Sequence, residues 1–243
     1  MRIAVAGSSG LVGSHVVNAA EAAGHQVVGL SLESGVDLTS SAGLAERLAG
    51  VEALVDVTQS PTLDAAVTFF ETVAANLGDA GQRAGVQRTV LLSIIGVDRV
   101  PDYDYYVAKV AQERAHRAHS PGLHILRAAQ FLEFPGMAIR WGRQGDVTAV
   151  EDMLSQPVAV VEIARVLLEL ATGQRDDDIV ELAGPRREHI VELARRIVAR
   201  RGERLTVVPR DVPDPMRNGA LLPGPGALIA GPTFDEWLSR QPA

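Results

Sequence analysis

The sequence predicts an α/β protein in which helices cover both faces of a doubly wound parallel sheet, with a small C-terminal lobe beside that sheet. Short aliphatic runs alternate with longer helical stretches over the first 130 residues, which is the pattern of repeated βαβ units. Hydrophobic residues form 47% of the 243-residue chain and aromatic residues only 4%, so the core must be mainly aliphatic. Such a core is typical of strands that are buried on both faces of a parallel sheet.

The first half of the chain supplies most of the predicted sheet. Each strand is an aliphatic run of four or five residues, and a segment with helical spacing of its apolar residues follows it. Gly24 and Gly85 end two of the helices, since glycine readily adopts the left-handed conformation that closes a helix. Right-handed crossovers then leave little choice of topology. In chain order we predict strand 2–6, helix 11–23, strand 26–30, helix 42–48, strand 53–57, a helix within 61–85, strand 89–93, helix 103–119 and strand 124–127.

The second half is less regular. Residues 209–232 are rich in proline and glycine and are predicted to form a wrapping loop. No linker is evident, so we predict one domain over residues 1–243, in which residues 130–243 contribute late sheet elements and the substrate-side lobe. The further predicted elements are helices at 131–141, 161–171 and 190–201, strands at 179–183 and 205–208, and a terminal helical turn within 233–240.

Composition excludes several classes of function. The net charge is −7 and no basic stripe is present, which argues against nucleic-acid binding. The chain has no cysteine, so disulfides, thiolate catalysis and cysteine-based zinc sites are excluded. No apolar run approaches about 18 residues, and no secretion signal is evident, so we expect a cytoplasmic protein without a membrane span. His116, His119 and His124 lack metal-ligand spacing and are interpreted as exposed histidines at helix ends, so no metal site is predicted.

Three glycines recur at every third position from the end of the first strand into the first helix. Gly7 permits a tight turn, Gly10 lets the backbone approach a pyrophosphate, and Gly13 lets the helix pack on the strand. The helix N-terminus adds free N–H groups and a positive dipole end. We call residues 7–13 the glycine loop, and it predicts a Rossmann-type dinucleotide site. The predicted contacts are Gly7, Ser8, Ser9, Gly10, Leu11, Val12 and Gly13.

All three tyrosines and the only lysine of the chain lie within seven residues. Tyr105 and Lys109 are one helical turn apart and share a face. A phenol with a pKa of about 10 exchanges protons poorly near neutrality, and a nearby ammonium lowers that pKa. Ser93 ends a strand twelve residues before Tyr105, where its hydroxyl can bond a developing oxyanion. The predicted catalytic residues are therefore Tyr105, Lys109 and Ser93, while Tyr103 and Tyr106 are interpreted as packing or pocket-wall residues.

The motif Gly7-Ser-Ser-Gly-Leu-Val-Gly13 resembles the opening of atypical or extended short-chain dehydrogenase/reductases, and especially the NmrA-like NAD(P)-binding proteins. Asp37-Leu38 resembles the adenine-contacting pair of that family, and the Tyr105-x-x-x-Lys109 pair resembles its catalytic pair. The resemblance covers roughly residues 1–200. It implies an NAD(P)-dependent oxidoreductase that acts on a small carbonyl or quinone-like substrate. In that reaction Tyr105 is the proton donor, Lys109 lowers its pKa and anchors the nicotinamide ribose, and Ser93 is the oxyanion partner.

One feature of the family is missing. Related reductases carry an asparagine on the helix before the strand of Ser93, and that position aligns near Phe69 or Phe70. Several NmrA-like proteins sense the cofactor without turning it over. A cofactor-sensing regulator with a protein partner is therefore the alternative, followed by an epimerase or isomerase that keeps its cofactor bound. Both a homodimer and a monomer remain open.

The end of the second strand bears on the choice between NAD and NADP. An acidic residue there would bind the ribose 2′-hydroxyl of NAD, but the position is Ser31, which tolerates a 2′-phosphate. Leu32 follows where an arginine would settle the matter, and Glu33 can still reach a ribose hydroxyl. The sequence thus favours NADP over NAD. Beyond the glycine loop, the predicted cofactor contacts are Ser31, Asp37, Leu38, Thr58 and Lys109.

Overall fold

The computed structural model describes residues 1–241 and consists of alternating strands and helices, with shorter elements towards the C-terminus. The strands are β1 (Arg2–Ala6), β2 (Gln26–Leu30), β3 (Ala53–Asp56), β4 (Arg88–Ile94), β5 (Leu123–Ala128), β6 (Arg143–Gln144), β7 (Val147–Glu151), β8 (Leu154–Ser155), β9 (Ile179–Ala183), β10 (Glu188–His189), β11 (Thr206–Arg210) and β12 (Leu228–Ile229). The helices are α1 (Leu11–Ala22), α2 (Leu44–Arg47), α3 (Ala66–Ala84), α4 (Asp104–His119), α5 (Phe134–Gly142), α6 (Val160–Thr172), α7 (Ile190–Arg201), α8 (Asp214–Arg217) and α9 (Phe234–Ser239).

Seven strands form a parallel sheet in the order β12-β9-β5-β4-β3-β1-β2, which confirms the predicted doubly wound fold. The chain moves outward from β1 to β2 and then returns to β3 on the other side of β1, so the topological switch lies between β1 and β3. Ala6 at the end of β1 is in register with Leu30 of β2 and Asp56 of β3. The three strands therefore end level with one another, and ligands of open α/β sheets bind beyond such carboxyl ends.

Aliphatic side chains hold the first strands and helices together, as the composition predicts. Ile3–Ala6 of β1 and all of β3 are buried. The core cluster around them contains the fully buried Leu30, Leu54 and Leu77. Helix α3 packs closely on α4, because Gly78 has no side chain where a Cβ would lie 2.7 Å from the backbone of His119. This contact fixes the helix that carries Tyr105 and Lys109.

The second half differs from the prediction in its strands. The predicted strand at 205–208 is β11, but it pairs in parallel with the unpredicted β7, in a separate three-stranded sheet with β6. β7 alternates between exposed or half-exposed and buried residues, which is the period-2 pattern of a half-buried strand. The predicted loop at 209–232 contains α8 and β12, and β12 adds a parallel edge strand beside β9.

The chain forms two compact units. The first comprises residues 1–93, 103–127 and 163–180 and contains β1–β3, α1–α4 and most of α6. The second comprises residues 94–102, 128–162 and the chain from Glu181 on. It contains α5, α7–α9, the three-stranded sheet β11-β7-β6 and a two-stranded sheet formed by β10 and β8. Within residues 1–241 the helices fall short of the length and apolarity that a membrane span requires.

Candidate functional site

Two positions of the glycine loop must be glycine because neighbouring backbone atoms leave no room for a side chain. Gly7 has a φ of +81°, and its N–H donates to the Leu30 carbonyl oxygen at 2.8 Å. A Cβ at Gly7 would lie 2.9 Å from the Val57 carbonyl oxygen. A Cβ at Gly13 would lie only 2.0 Å from the Gly7 carbonyl oxygen, so the start of α1 can reach the loop only without a side chain.

Gly10 is less constrained, because among the described residues a Cβ there would meet a single close contact. Its φ of −74° is ordinary for any residue. A Cβ there would have one neighbour within 4 Å, the Gly7 carbonyl oxygen at 3.3 Å. No acidic residue lies in the first turn of α1, and no side chain caps the helix, so its N–H groups remain available to an anion. An open glycine at this place fits the close approach of a pyrophosphate.

The remaining residues of the glycine loop are partly accessible. Ser8 is half-buried over β2, where a Cβ on Gly29 would lie 3.0 Å from the Ser8 Oγ. Ser9 and Leu11 are exposed, and Val12 is buried. Ser8 and Ser9 thus lie in the loop before α1, where hydroxyl donors are expected.

Thr58 follows β3, and its buried hydroxyl lacks a hydrogen bond of good geometry among the described residues. Only 8% of the residue is exposed, and its N–H donates to Asp56 Oδ1 at 2.8 Å. Its Oγ1 lies close enough to Asp56 to lower the pKa of that carboxyl, but it makes no hydrogen bond of good geometry within residues 1–241. The residue lies beside the glycine loop, since a Cβ on Gly7 would lie 3.2 Å from the Thr58 Cα. An unpaired buried hydroxyl is unfavourable unless a ligand or water satisfies it, so Thr58 fits the predicted cofactor contact.

The turn after β2 holds the predicted ribose-selecting position. Ser31 is nearly buried, and its Oγ lies 3.4 Å from the Oγ of Ser34 and accepts from the Ser34 N–H at 3.3 Å. Leu32 is 79% exposed at the tip of the turn, and Glu33 beside it is also exposed. Leu32 and Glu33 are therefore the accessible side chains at the predicted ribose-selecting position.

The predicted adenine-contacting pair lies in an ordered turn. Asp37 Oδ1 accepts hydrogen bonds from the Thr39 N–H at 2.9 Å and the Thr39 hydroxyl at 2.7 Å, and these bonds lower the pKa of the exposed carboxyl. Leu38 is buried, and its carbonyl oxygen accepts from Asn76 Nδ2 at 3.0 Å. Asn76 therefore has the structural task of holding this turn against α3.

Tyr105 lies in the first turn of α4 with its hydroxyl bonded to the loop after β3. The hydroxyl donates to Gln59 Oε1 at 2.7 Å, and the ring packs edge-on to Phe70 at 6.4 Å between centroids. Burial raises the pKa of the phenol, the bond to Gln59 lowers it and Tyr103 raises it, with a net rise. The expectation that Lys109 lowers this pKa is wrong for this structure, since burial is the largest influence. Tyr106 is buried and packs against Tyr103 at 4.9 Å.

Lys109 is buried beneath Tyr105 and points at the protein interior. Its Nζ donates to the Leu92 carbonyl oxygen at 2.8 Å and to Gln112 Oε1 at 2.5 Å, and it lies 5.0 Å from the centroid of the Phe70 ring. Phe70 thus lies near the position at which the family resemblance leads us to expect an asparagine. Burial lowers the pKa of Lys109 to about 8, against the charges of Asp56 and Glu113, which raise it. Within residues 1–241 no hydrogen bond joins Lys109 to Tyr105.

The buried ammonium predicts a rise in stability on the alkaline side of neutrality. The pKa of Lys109 is 10.5 in an exposed chain and about 8 in the fold, so between these values the unfolded chain binds a proton that the folded chain has released. Stability therefore increases as the pH rises through this interval, by about 3 kcal/mol in total. Urea unfolding at fixed pH measures the effect, and Lys109→Met, which cannot titrate, is the reference. A difference between the two proteins that stays constant with pH would contradict the prediction.

A chain of buried polar groups lies behind Lys109. Gln112 Nε2 donates to Asp56 Oδ2 at 3.0 Å, and the same oxygen lies 2.8 Å from His116 Nε2. The other ring nitrogen of His116 lies 2.7 Å from Ser120 Oγ. His116 is fully buried, so its interpretation as an exposed helix-end histidine is wrong.

The other two histidines of this region differ from each other. His124 is buried, with its Nε2 2.7 Å from Arg88 NH1, so its interpretation as exposed is also wrong. His119, at the end of α4, is half-exposed beside Asp79. Among the described residues, no three histidine or acidic side chains are placed to hold a metal ion.

Ser93 uses its proton within the protein. Its Oγ donates to Glu113 Oε1 at 2.6 Å, and only 2% of the residue is exposed. Arg127 binds the same carboxylate with two hydrogen bonds, at 3.0 and 2.8 Å. Burial raises the pKa of Glu113, but the bonds from Arg127 and Ser93 outweigh it and keep the pKa below its ordinary value. Ser93 therefore helps to hold a buried carboxylate, and its predicted oxyanion role competes with this bond.

Four further residues surround Tyr105 and Lys109 without being predicted as site residues from the sequence: Gln59, Asp56, Gln112 and His116. One signal was present: Lys109, Gln112 and His116 are spaced i, i+3 and i+7, so a polar stripe runs along one face of α4. Asp56 ends an aliphatic strand, and a carboxylate there needs a buried partner. No local pattern pairs it with His116, since the two are 60 residues apart.

No protein-family model matches the sequence, and a search of curated proteins finds no match. Solved structures do match. An NADPH-dependent quinone oxidoreductase from Escherichia coli, complexed with NADPH, aligns with a TM-score of 0.71 at 18% identity, covering 98% of each chain. A dTDP-4-dehydrorhamnose reductase from Bacillus anthracis, in complex with NADP, aligns with a TM-score of 0.71 at 16% identity, covering 98% of this chain and 97% of that one.

A short-chain dehydrogenase/reductase superfamily protein from Agrobacterium tumefaciens with bound NAD aligns with a TM-score of 0.68 at 19% identity, covering 98% of this chain and 95% of that one. At these identities the likeness establishes the fold. The Rossmann-type fold expected from the short-chain dehydrogenase/reductase resemblance is thereby confirmed, while the closer resemblance to NmrA-like proteins stays a prediction.

Proposed function

We propose that this protein binds NADPH or NADH at the glycine loop and transfers a hydride to or from a small carbonyl or quinone-like substrate. The observation that carries the proposal is the loop itself. Gly7 and Gly13 are required by packing, whereas Gly10 stands open at an uncapped helix N-terminus. The buried Thr58 hydroxyl beside the loop, which lacks a hydrogen bond of good geometry among the described residues, supplies a second reason to expect a ligand there. The three aligned structures, which hold NAD or NADP, support the same cofactor class.

In the proposed reaction the nicotinamide supplies or accepts the hydride. Tyr105 donates a proton to the oxygen of the carbonyl as it becomes an alkoxide, and must exchange its bond to Gln59 for one to the substrate. Lys109, one helical turn from Tyr105 on α4, would anchor the nicotinamide ribose. Ser93 is the weakest member of the predicted set as an oxyanion partner, because its hydroxyl donates to Glu113.

The bond between Ser93 and Glu113 makes the Ser93 role the one most open to test. We expect Ser93→Ala to lower the free energy of unfolding by about 1–3 kcal/mol, because a buried carboxylate loses a donor. We expect kcat to fall less than about tenfold, since the hydroxyl proton is already used. Chemical denaturation and steady-state kinetics on one preparation measure both effects. A loss of about 10²-fold or more in kcat with unchanged stability would assign Ser93 to the oxyanion instead.

A cofactor-sensing regulator is the second candidate, and specific observations favour it. Tyr105 and Ser93 both donate their protons within the protein, and Phe70 lies near Lys109 where reductases of the resembling family carry an asparagine. A sensor would bind NADPH and change its affinity for a protein partner without turnover.

The test combines binding with turnover. Purified protein is titrated with NADPH and NADH, and NADPH oxidation is then followed with a panel of small aldehydes, ketones and quinones. We expect tighter binding of NADPH than of NADH, because Ser31 stands where an acidic residue would repel the 2′-phosphate. Oxidation dependent on one substrate class supports the enzyme, and binding without oxidation across the panel favours the sensor.

A further inference from the structure

The hydrogen-bonded chain behind Lys109 has a fixed direction. An ammonium can only donate hydrogen bonds and an ionised carboxylate can only accept them. The amide of Gln112 lies between Lys109 and Asp56, so only one orientation satisfies both neighbours. Its Nε2 donates to Asp56 Oδ2 at 3.0 Å, and its Oε1 accepts from Lys109 Nζ at 2.5 Å.

Asp56 has two further hydrogen-bonding partners besides Gln112. His116 Nε2 lies 2.8 Å from Oδ2, and the Thr58 N–H donates to Oδ1 at 2.8 Å. Burial raises the pKa of the Asp56 carboxyl, but the bonds and charge of His116 and the bonds of Thr58 outweigh it, so that the pKa lies below its ordinary value. Asp56 therefore stays ionised near neutrality, and the amide of Gln112 cannot turn over without facing it with an oxygen.

The arrangement is not what stability alone would select. Gln112, His116 and Asp56 are all buried, and apolar side chains of similar volume often stabilise such places as well or better. The polar chain ends on the Lys109 ammonium, four residues from the phenol of Tyr105. The polar chain therefore contacts Lys109, whose ammonium shares a face of α4 with that phenol.

We propose that Gln112, anchored by Asp56 and His116, is a positioning residue that fixes the Lys109 ammonium against the Leu92 carbonyl. Asp56 of β3 and Glu113 of α4 also face the ammonium with their charges, and the Phe70 ring faces it from α3. Among residues 1–241, Leu92 and Gln112 accept its hydrogen bonds. The catalytic consequence rests on the proposed function, whereas the placement of the ammonium is measurable without turnover.

A single lysine makes the measurement direct. Lys109 is the only lysine of the chain, so protein grown with lysine carrying ¹³C at Cε gives one lysine resonance to titrate. We expect Gln112→Met to lower the midpoint by about one pH unit, since the charged form loses one hydrogen bond. We expect Gln112→Leu to lower it as well, because an apolar side chain of similar size also removes the acceptor. Midpoints equal to that of the wild type, or shifted opposite to these directions, would overturn the proposal, and each variant decides alone if the other fails to fold.

Gln82→Met is the matched control. Gln82 is exposed on α3, and its Nε2 donates to the His119 carbonyl oxygen, so its loss should leave the Lys109 midpoint unchanged. In a turnover assay, Gln112→Met should lower kcat about tenfold and move the alkaline limb of its pH profile to lower pH. Shifted midpoints in a protein without turnover would remove the proposed oxidoreductase function and keep the positioning role. Wild-type turnover together with unshifted midpoints would remove the positioning role and keep the proposed oxidoreductase function.

Discussion

Replacing Tyr105 with phenylalanine is expected to lower kcat for NADPH-dependent carbonyl reduction by about 10²–10⁴-fold, the usual contribution of a positioned general acid. The new ring keeps its edge-on contact with Phe70, while the hydroxyl that donates to Gln59 is lost. Affinity for NADPH should change little, because the proposed phosphate contacts lie in the glycine loop. Kinetics followed by NADPH absorbance, and NADPH binding followed by fluorescence, measure the two effects separately.

Tyr103→Phe is the control for this change. Tyr103 immediately precedes α4, and its ring packs on Tyr106 rather than sharing a helix face with Lys109. It should therefore retain kcat. If Tyr105→Phe turned substrate over as fast as the wild type, Tyr105 would have no part in proton transfer, and the acid would have to be sought elsewhere.

Gly10→Ala is expected to weaken NADPH binding by about 10–100-fold, the effect of losing one hydrogen bond between a backbone N–H and a phosphate. Stability should fall only slightly, since Gly10 has an ordinary φ and the Gly7 carbonyl oxygen, 3.3 Å from the new Cβ, would have to move by a few tenths of an ångström. The methyl group would instead stand at the N-terminus of α1, in the space that a pyrophosphate needs. Fluorescence titration with NADPH and a thermal melt of the same protein measure both quantities.

Substitutions of two other glycines serve as controls for that result. Gly13→Ala should lose both stability and binding, because its Cβ would lie 2.0 Å from the Gly7 carbonyl oxygen. Gly81→Ala on α3, whose Cβ would make ordinary contacts of 3.6 Å with Val86, should lose neither. Unchanged NADPH affinity in Gly10→Ala would mean that the open glycine does not mark the phosphate position.

The sheet and the glycine loop were predictable because their signals are local. The aliphatic run of β1, the turn at Gly7 and the helical spacing after Gly10 lie next to one another in the sequence. The parallel order of β1–β5 then follows from short βαβ connections. The small sheet of β7 and β11 was not predictable, because its strands are some 60 residues apart and the pairing depends on packing around α5 and α7.

The spacing of the candidate catalytic residues was predictable from the sequence, but their surroundings were not. Tyr105 and Lys109 do lie one turn apart on α4, yet the ammonium bonds to Leu92 and Gln112. Those bonds depend on Asp56 and on a histidine that the sequence alone placed at the surface. A helix face reveals which residues are neighbours along α4, and only the fold reveals what β3 presents to them.

Titration of the protein with NADPH tests the central claim most directly. The account predicts saturable binding, with a rise or blue shift in NADPH fluorescence, tighter than that of NADH and weakened in Gly10→Ala but not in Gly81→Ala. If neither NADPH nor NADH bound to the folded protein, the glycine loop would be a structural turn, and every function proposed for this chain would be contradicted.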